Sequence, residues 1–230
     1  PAMAKLPSRR SSRTEIDSFL NKSKTIATVR KQQPRLLFAI DATASRQLTW
    51  DRASHLQQEM FLAAQQGITL CVQLCYYRGF ADFHAGPWTT DSQALASQMG
   101  RVSCEGGRTQ IERVLRHSLA EHGKNKLRAV VFIGDALEEN PDTLCQLAGQ
   151  CGMLQLPLFI FQEGQMPEAR NCFSSMARLS KGAWASFDQS SASTLASLLG
   201  AVASYASGGV QALERNASEG AKLLLQQLKH

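Results

Sequence analysis

Two apolar runs in this chain each end in an aspartate, and that pairing constrains the fold more than any other feature. Leu36-Leu37-Phe38-Ala39-Ile40 is a short continuous apolar stretch of the kind that forms a buried strand. It runs directly into Asp41-Ala42-Thr43-Ala44-Ser45, one carboxylate and two hydroxyls on alternate positions with small spacers. Leu127–Ile133 is a second such run and ends in Gly134-Asp135. Between them, Cys104-Glu105-Gly106-Gly107-Arg108-Thr109 is a Gly-rich loop that delivers a third hydroxyl just before the helical pattern Ile111, Val114, Leu115, Leu119. Two strand-end carboxylates and three hydroxyls converge only if both strands are parallel and close in one sheet. Such an all-oxygen set suits a hard cation, at about 2.0–2.1 Å for Mg²⁺, and ligands gather at the carboxyl ends of strands in open α/β sheets.

The rest of the chain supports that sheet. A helix is expected over Asp51–Gln66, ended by Gly67, then a strand over Ile68–Tyr77. Arg78–His84 reads as a third strand, antiparallel to it after a tight turn, and Asp91–Met99 as a short helix. Helix Gln110–His122 follows the Gly-rich loop. After Asp135 the alternation continues through Pro141–Cys151, Leu156–Phe161, Pro167–Leu179, Trp184–Phe187 and Ser193–Tyr205. Strands alternating with helical patterns imply an α/β fold, a doubly wound, Rossmann-like and mostly parallel sheet flanked by helices, with one antiparallel edge strand. Ser207-Gly208-Gly209 reads as a hinge, and Val210, Leu213, Ala217, Leu224 and Leu228 sketch one amphipathic helix beyond it. The simpler expectation is that this helix packs on the domain, the alternative that it serves a partner or self-association.

Each part of the strand-end pattern alone reads as a helix cap or a turn. Taken together and in this order, the residues resemble the von Willebrand factor A (VWA) domain family and its metal-ion-dependent adhesion site (MIDAS): Asp-x-Ser-x-Ser, then Thr, then Asp. The positions that carry the resemblance are Asp41, Thr43, Ser45, Thr109 and Asp135, with Thr43 in place of the usual Ser. The likeness covers about residues 35–206 and implies three segments: a basic leader with a short amphipathic helix (1–34), the VWA domain (35–206) and a C-terminal amphipathic helix (207–230). It also implies Mg²⁺ or Mn²⁺ as the bound ion, and a partner protein that supplies an Asp or Glu ligand to it. Intracellular relatives of this kind often work with AAA-type ATPases or other assemblies.

Charge and composition narrow the alternatives. Residues 1–35 hold nine cations against two anions, so that segment, the leader with Arg35, carries +7 and the remainder about −1 of the total of +6. A basic leader of that kind supports a second reading, a nucleic-acid-associated scaffold, since clustered Arg and Lys suit phosphate. No apolar run approaches the roughly 20 residues of a membrane span, and no secretory stretch opens the chain. Six cysteines without zinc or Cys-x-x-Cys spacing read as reduced thiols, which points to the cytoplasm.

Enzymatic signatures are absent: there is neither a P-loop nor a dinucleotide fingerprint. Thr43 stands where a phosphatase of the haloacid dehalogenase type would need its second Asp. Cys104 and His84 read as a structural thiol and a surface imidazole rather than a nucleophile and its base. Glu138 and Glu139 read as solvated carboxylates at a helix start. The expectation is a binding module, not an enzyme.

Overall fold

The computed structural model describes residues 13–14, 16–18, 33–43, 70–188 and 192–228. The chain divides into two units, residues 1–33 and residues 34–230. In the first, residues 13–14 and 16–18 are helical and exposed. The remainder of the leader helix, the basic cluster and the expected helix Asp51–Gln66 lie outside the described residues. Among the described residues no helix is long and apolar enough to cross a membrane.

The second unit is built on a six-stranded sheet in the order β3-β2-β1-β4-β5-β6. Its strands are β1 (Arg35–Asp41), β2 (Cys71–Arg78), β3 (Asp82–Ala85), β4 (Leu127–Gly134), β5 (Leu158–Glu163) and β6 (Ala183–Phe187). All pairs are parallel except β2 with β3, which is antiparallel at one edge. The fold is therefore the expected mostly parallel α/β sheet with one antiparallel edge strand. β1, β4 and β5 are apolar on both faces because helices cover both. The short edge strand β3 instead alternates exposed and half-buried positions.

Six helices among the described residues flank the sheet: α1 (Ser92–Met99), α2 (Ile111–Lys124), α3 (Pro141–Met153), α4 (Pro167–Leu179), α5 (Ala192–Glu214) and α6 (Glu219–Leu228). One core layer joins Leu37, Ala39, Val130, Phe132 and Ile160 to α2, α3 and α4 through Val114, Leu147 and Phe173. The other joins Leu36, Phe38, Val131 and Phe159 to α1, α5 and α6 through Leu95, Val202 and Leu224. Alternate residues of one strand thus feed opposite layers, as period-2 geometry requires. Helix starts carry their expected signals. Asp91 caps α1 by accepting from the N–H groups of Gln93 and Ala94, and Asn140 with Pro141 opens α3.

The C-terminal segment differs from the single helix expected beyond the hinge. α5 runs on to Glu214 but breaks at Gly208 and Gly209, whose backbone is non-helical, with φ +67° at Gly209. A second break follows over residues 215–218, where Asn216 Oδ1 accepts from Ser218 N–H and Ser218 Oγ accepts from Ala221 N–H. Those side chains compete with helical backbone bonds and start α6 afresh. Leu213, Ala221 and Leu224 are fully buried, so the segment packs on the sheet's core. Gly220 sits where a Cβ would lie 2.5 Å from the Ser197 carbonyl oxygen, which lets α6 lie close against α5. At the far edge, the Gln227 amide bonds both backbone groups of Trp184 on β6, accepting at 2.9 Å and donating at 2.8 Å.

Candidate metal centre

The carboxyl edge of the sheet gathers the residues singled out from the sequence. β1 and β4 are direct neighbours, with Ile40 opposite Ile133. Asp41 and Asp135 therefore leave adjacent parallel strands, spaced about 4.8 Å apart, within one residue of the same level.

Asp41 is fully buried. Its Oδ1 accepts from the Thr43 N–H at 2.8 Å, and its Oδ2 accepts from the Tyr77 hydroxyl at 3.0 Å. Tyr77 is the register partner of Asp41 on β2, so both side chains leave the sheet on the same face. The tyrosine ring is fully buried and stacks on Phe132 with centroids 6.4 Å apart. Sequence reading missed Tyr77 as part of the site. The available signal was a tyrosine inside a buried strand, whose hydroxyl must find a partner.

The Gly-rich loop is tied to this strand end. Thr43 and Glu105 form an isolated parallel bridge, and Glu105 N–H donates to the Ala42 carbonyl at 3.1 Å. Gly107 is not a plain turn glycine. A Cβ there would fall 1.9 Å from the Gly79 carbonyl oxygen, so only glycine lets the loop meet the β2–β3 turn backbone to backbone. Arg108 N–H then donates to that same Gly79 carbonyl at 3.0 Å.

Thr109 is buried at the end of this loop, 7% exposed. It exchanges two hydrogen bonds with Glu138: Thr109 N–H donates to Glu138 Oε2 at 3.2 Å, and Glu138 N–H donates to Thr109 Oγ1 at 3.1 Å. Glu139 accepts from the first two amides of α2, Ile111 N–H at 2.6 Å and Glu112 N–H at 2.8 Å. This corrects the expectation of a solvated carboxylate for Glu139, whereas Glu138 is exposed as expected and bonds the Thr109 amide as well. Both glutamates reach from the loop after β4 to α2 and its approach, because Gln110 at the cap position provides no side-chain bond and the free amides need acceptors. Their partners lie 27 to 29 residues away, beyond any local pattern.

Asp135 contrasts with Asp41. Its Oδ1 is buried and has no hydrogen-bond partner among the described residues. A buried carboxylate oxygen left unpaired costs about 1–3 kcal/mol or more, and a cation is the natural remedy. Ser45 lies outside the described residues. The structure thus brings Asp41, Thr43, the Thr109 loop and Asp135 to one strand edge. Among the described residues no group of three or more His, Cys, Asp or Glu gathers for a metal. The donor set in question differs from that pattern, being two carboxylates with hydroxyls, which suits Mg²⁺ or Mn²⁺ rather than zinc.

The other sequence candidates have structural roles. His84 stacks on Tyr76 with ring centroids 5.0 Å apart, and Cys104 packs against the core. None of the six cysteines is in a disulfide. Burial pushes the Cys75 and Cys151 thiols up to about 12.

Neither a family model nor a curated protein sequence matches the chain. Solved structures do match in fold. The VWA domain of SpRpn10 aligns at TM-score 0.55 with 11% identity, over 71% of this chain and 95% of that one. The von Willebrand factor type A structure from Catenulispora acidiphila aligns at TM-score 0.57 with 14% identity, over 76% of this chain and 43% of that one. An aerotolerance-related membrane protein from Bacteroides fragilis aligns at TM-score 0.56 with 13% identity, over 72% of this chain and 96% of that one. The fold of this chain is VWA-like.

Proposed function

We propose that this chain is a metal-dependent protein-docking module, with Mg²⁺ or Mn²⁺ held by Asp41, Thr43, Ser45, Thr109 and Asp135 in a MIDAS-like site. The observation that carries the reading is the buried, unpartnered Oδ1 of Asp135, one residue's level from Asp41 across adjacent parallel strands. Bound there, the cation supplies an electrophilic position that an Asp or Glu of a partner protein fills. The chain's own residues do the positioning: Tyr77 and the Thr43 amide orient Asp41, and Glu138 fixes Thr109.

Binding is favoured over hydrolysis by the fate of the nearby acids. Glu139 accepts backbone N–H bonds on both oxygens and Glu138 on one, which ties both to holding the Thr109 loop and the start of α2. A charge-assisted carboxylate contact at the sheet's carboxyl edge is the chemistry that remains. The family resemblance suggests AAA-type ATPases or other assemblies as the class of partner.

Calorimetric titration of the full chain with Mn²⁺ tests the metal. Wild type is expected to bind one ion, and Asp135→Ala to lose that binding while its circular dichroism stays native. Unchanged binding in Asp135→Ala removes the reading. Docking is tested separately, by retrieval of a partner in Mg²⁺ that is lost in EDTA and in Asp41→Ala alike.

A further inference from the structure

The β2–β3 turn, residues 79–81, is more heavily fixed than a hairpin tip needs to be. Arg108 N–H bonds the Gly79 carbonyl at 3.0 Å, and Gln110 Nε2 reaches the Arg78 carbonyl at 3.1 Å. The Arg113 guanidinium bonds the Ala81 carbonyl at 2.7 Å. Gly107 adds a backbone contact that no other residue would allow. The donors all come from the loop that carries Thr109 and from the helix it opens. Amid this scaffold Phe80 stands 77% exposed. Rigidly presented aromatics of this kind act as anchors in protein interfaces, because little entropy is lost when they bind.

Charge identifies what the anchor faces. Arg78 is paired with two carboxylates, Asp82 at 2.7 Å and Glu105 at 3.1 Å, and Arg113, bonded to the turn, has no ion pair among the described residues. Arg108, exposed and next to Thr109, has no ion pair among the described residues. A spare cation and an exposed phenyl ring thus flank the loop that delivers the Thr109 hydroxyl.

We infer that Phe80 and Arg108 form a specificity subsite beside the metal centre, and that the partner segment it fits pairs an acidic residue with an adjacent large apolar one. The acidic residue goes to the metal; its apolar neighbour lies on Phe80; Arg108 favours an acidic segment overall. This rests on the metal-docking reading and adds a second requirement to it.

Two short synthetic peptides test the subsite against full-length protein in Mg²⁺. They share one central Asp and differ only in carrying Leu or Ser on either side of it. The Leu peptide is expected to bind about tenfold more tightly, the scale of one buried apolar contact. Phe80→Ser should erase that preference without changing the Ser peptide's affinity or the calorimetric Mg²⁺ affinity, and Phe80→Leu should keep most of it. Leu and Ser peptides that bind alike in Mg²⁺ and release in EDTA overturn this inference and leave metal docking standing. A Leu preference that survives Phe80→Ser overturns it as well. If Mg²⁺ binds and neither peptide does, the docking reading fails and takes the subsite with it.

Discussion

The two aspartates at the sheet's carboxyl edge end strands of the same kind, yet the fold treats them oppositely. Asp41 is held on both oxygens, by the Thr43 amide and the Tyr77 hydroxyl. Asp135 keeps a buried oxygen without a partner among the described residues. On the proposed reading, the first belongs to the structure whatever is bound, and the second is a cost that the fold carries for a cation. A site built this way is half preorganised, and its two halves should fail differently when they are broken.

The largest effect should come from Asp41→Ala. It removes a ligand and leaves a buried hydroxyl and an amide without their acceptor, which costs about 1–3 kcal/mol. For a domain of this size each kcal/mol shifts Tm by about 2–4 °C. Thermal melts in EDTA should therefore show a clear drop, and calorimetry should show Mn²⁺ affinity falling by about 100-fold or more. Asp135→Ala should lose metal as fully but melt in EDTA no lower than wild type, because an unsatisfied oxygen has been taken away. Equal destabilisation by the two substitutions would break the contrast.

Smaller changes sharpen it. Glu139→Ala strips the acceptor from the first amides of α2 and should cost about 0.5–2 kcal/mol, the scale of a lost cap. Hydrogen exchange at Ile111 and Glu112 should speed up, with Mg²⁺ affinity much less affected. Tyr77→Phe keeps the ring packed on Phe132 and removes the hydroxyl that bonds Asp41. It should cost about 1 kcal/mol and about tenfold in Mn²⁺ affinity, as the loss of a residue that orients a ligand does. A Tyr77→Phe protein that binds Mn²⁺ like wild type would mean that Asp41 keeps its orientation without the Tyr77 hydroxyl.

What could be read in advance follows the range of the forces involved. The sheet was legible because burial on both faces writes itself as unbroken apolar runs such as Leu36–Ile40 and Ala129–Ile133, while the Asp residues that follow gained meaning only from their order together with the Gly-rich loop. The Tyr77 bond, the Glu138 and Glu139 clamps and the Gly107–Gly79 contact were not, since each joins groups that meet only once the sheet is assembled. The break before α6 is an intermediate case. Asn216 and Ser218 are cap and turn residues in plain sight, but the apolar spacing from Val210 to Leu228 spoke for a continuous helix.

The Gln227 amide bonded to Trp184 carries a consequence for how the protein is made. β6 is the outer strand of the sheet, and a strand with an uncommitted side is a template for another chain. One glutamine side chain takes up both backbone groups of a residue on that side, in the manner of a neighbouring strand. That guard lies 43 residues downstream of the strand it protects. During synthesis, then, β6 is complete well before its cover exists, and a chain that stops after the Gly208-Gly209 break never acquires it. Until α6 has folded, that side of β6 is left without the Gln227 amide, and the border of the sheet is finished only by the end of the C-terminal segment.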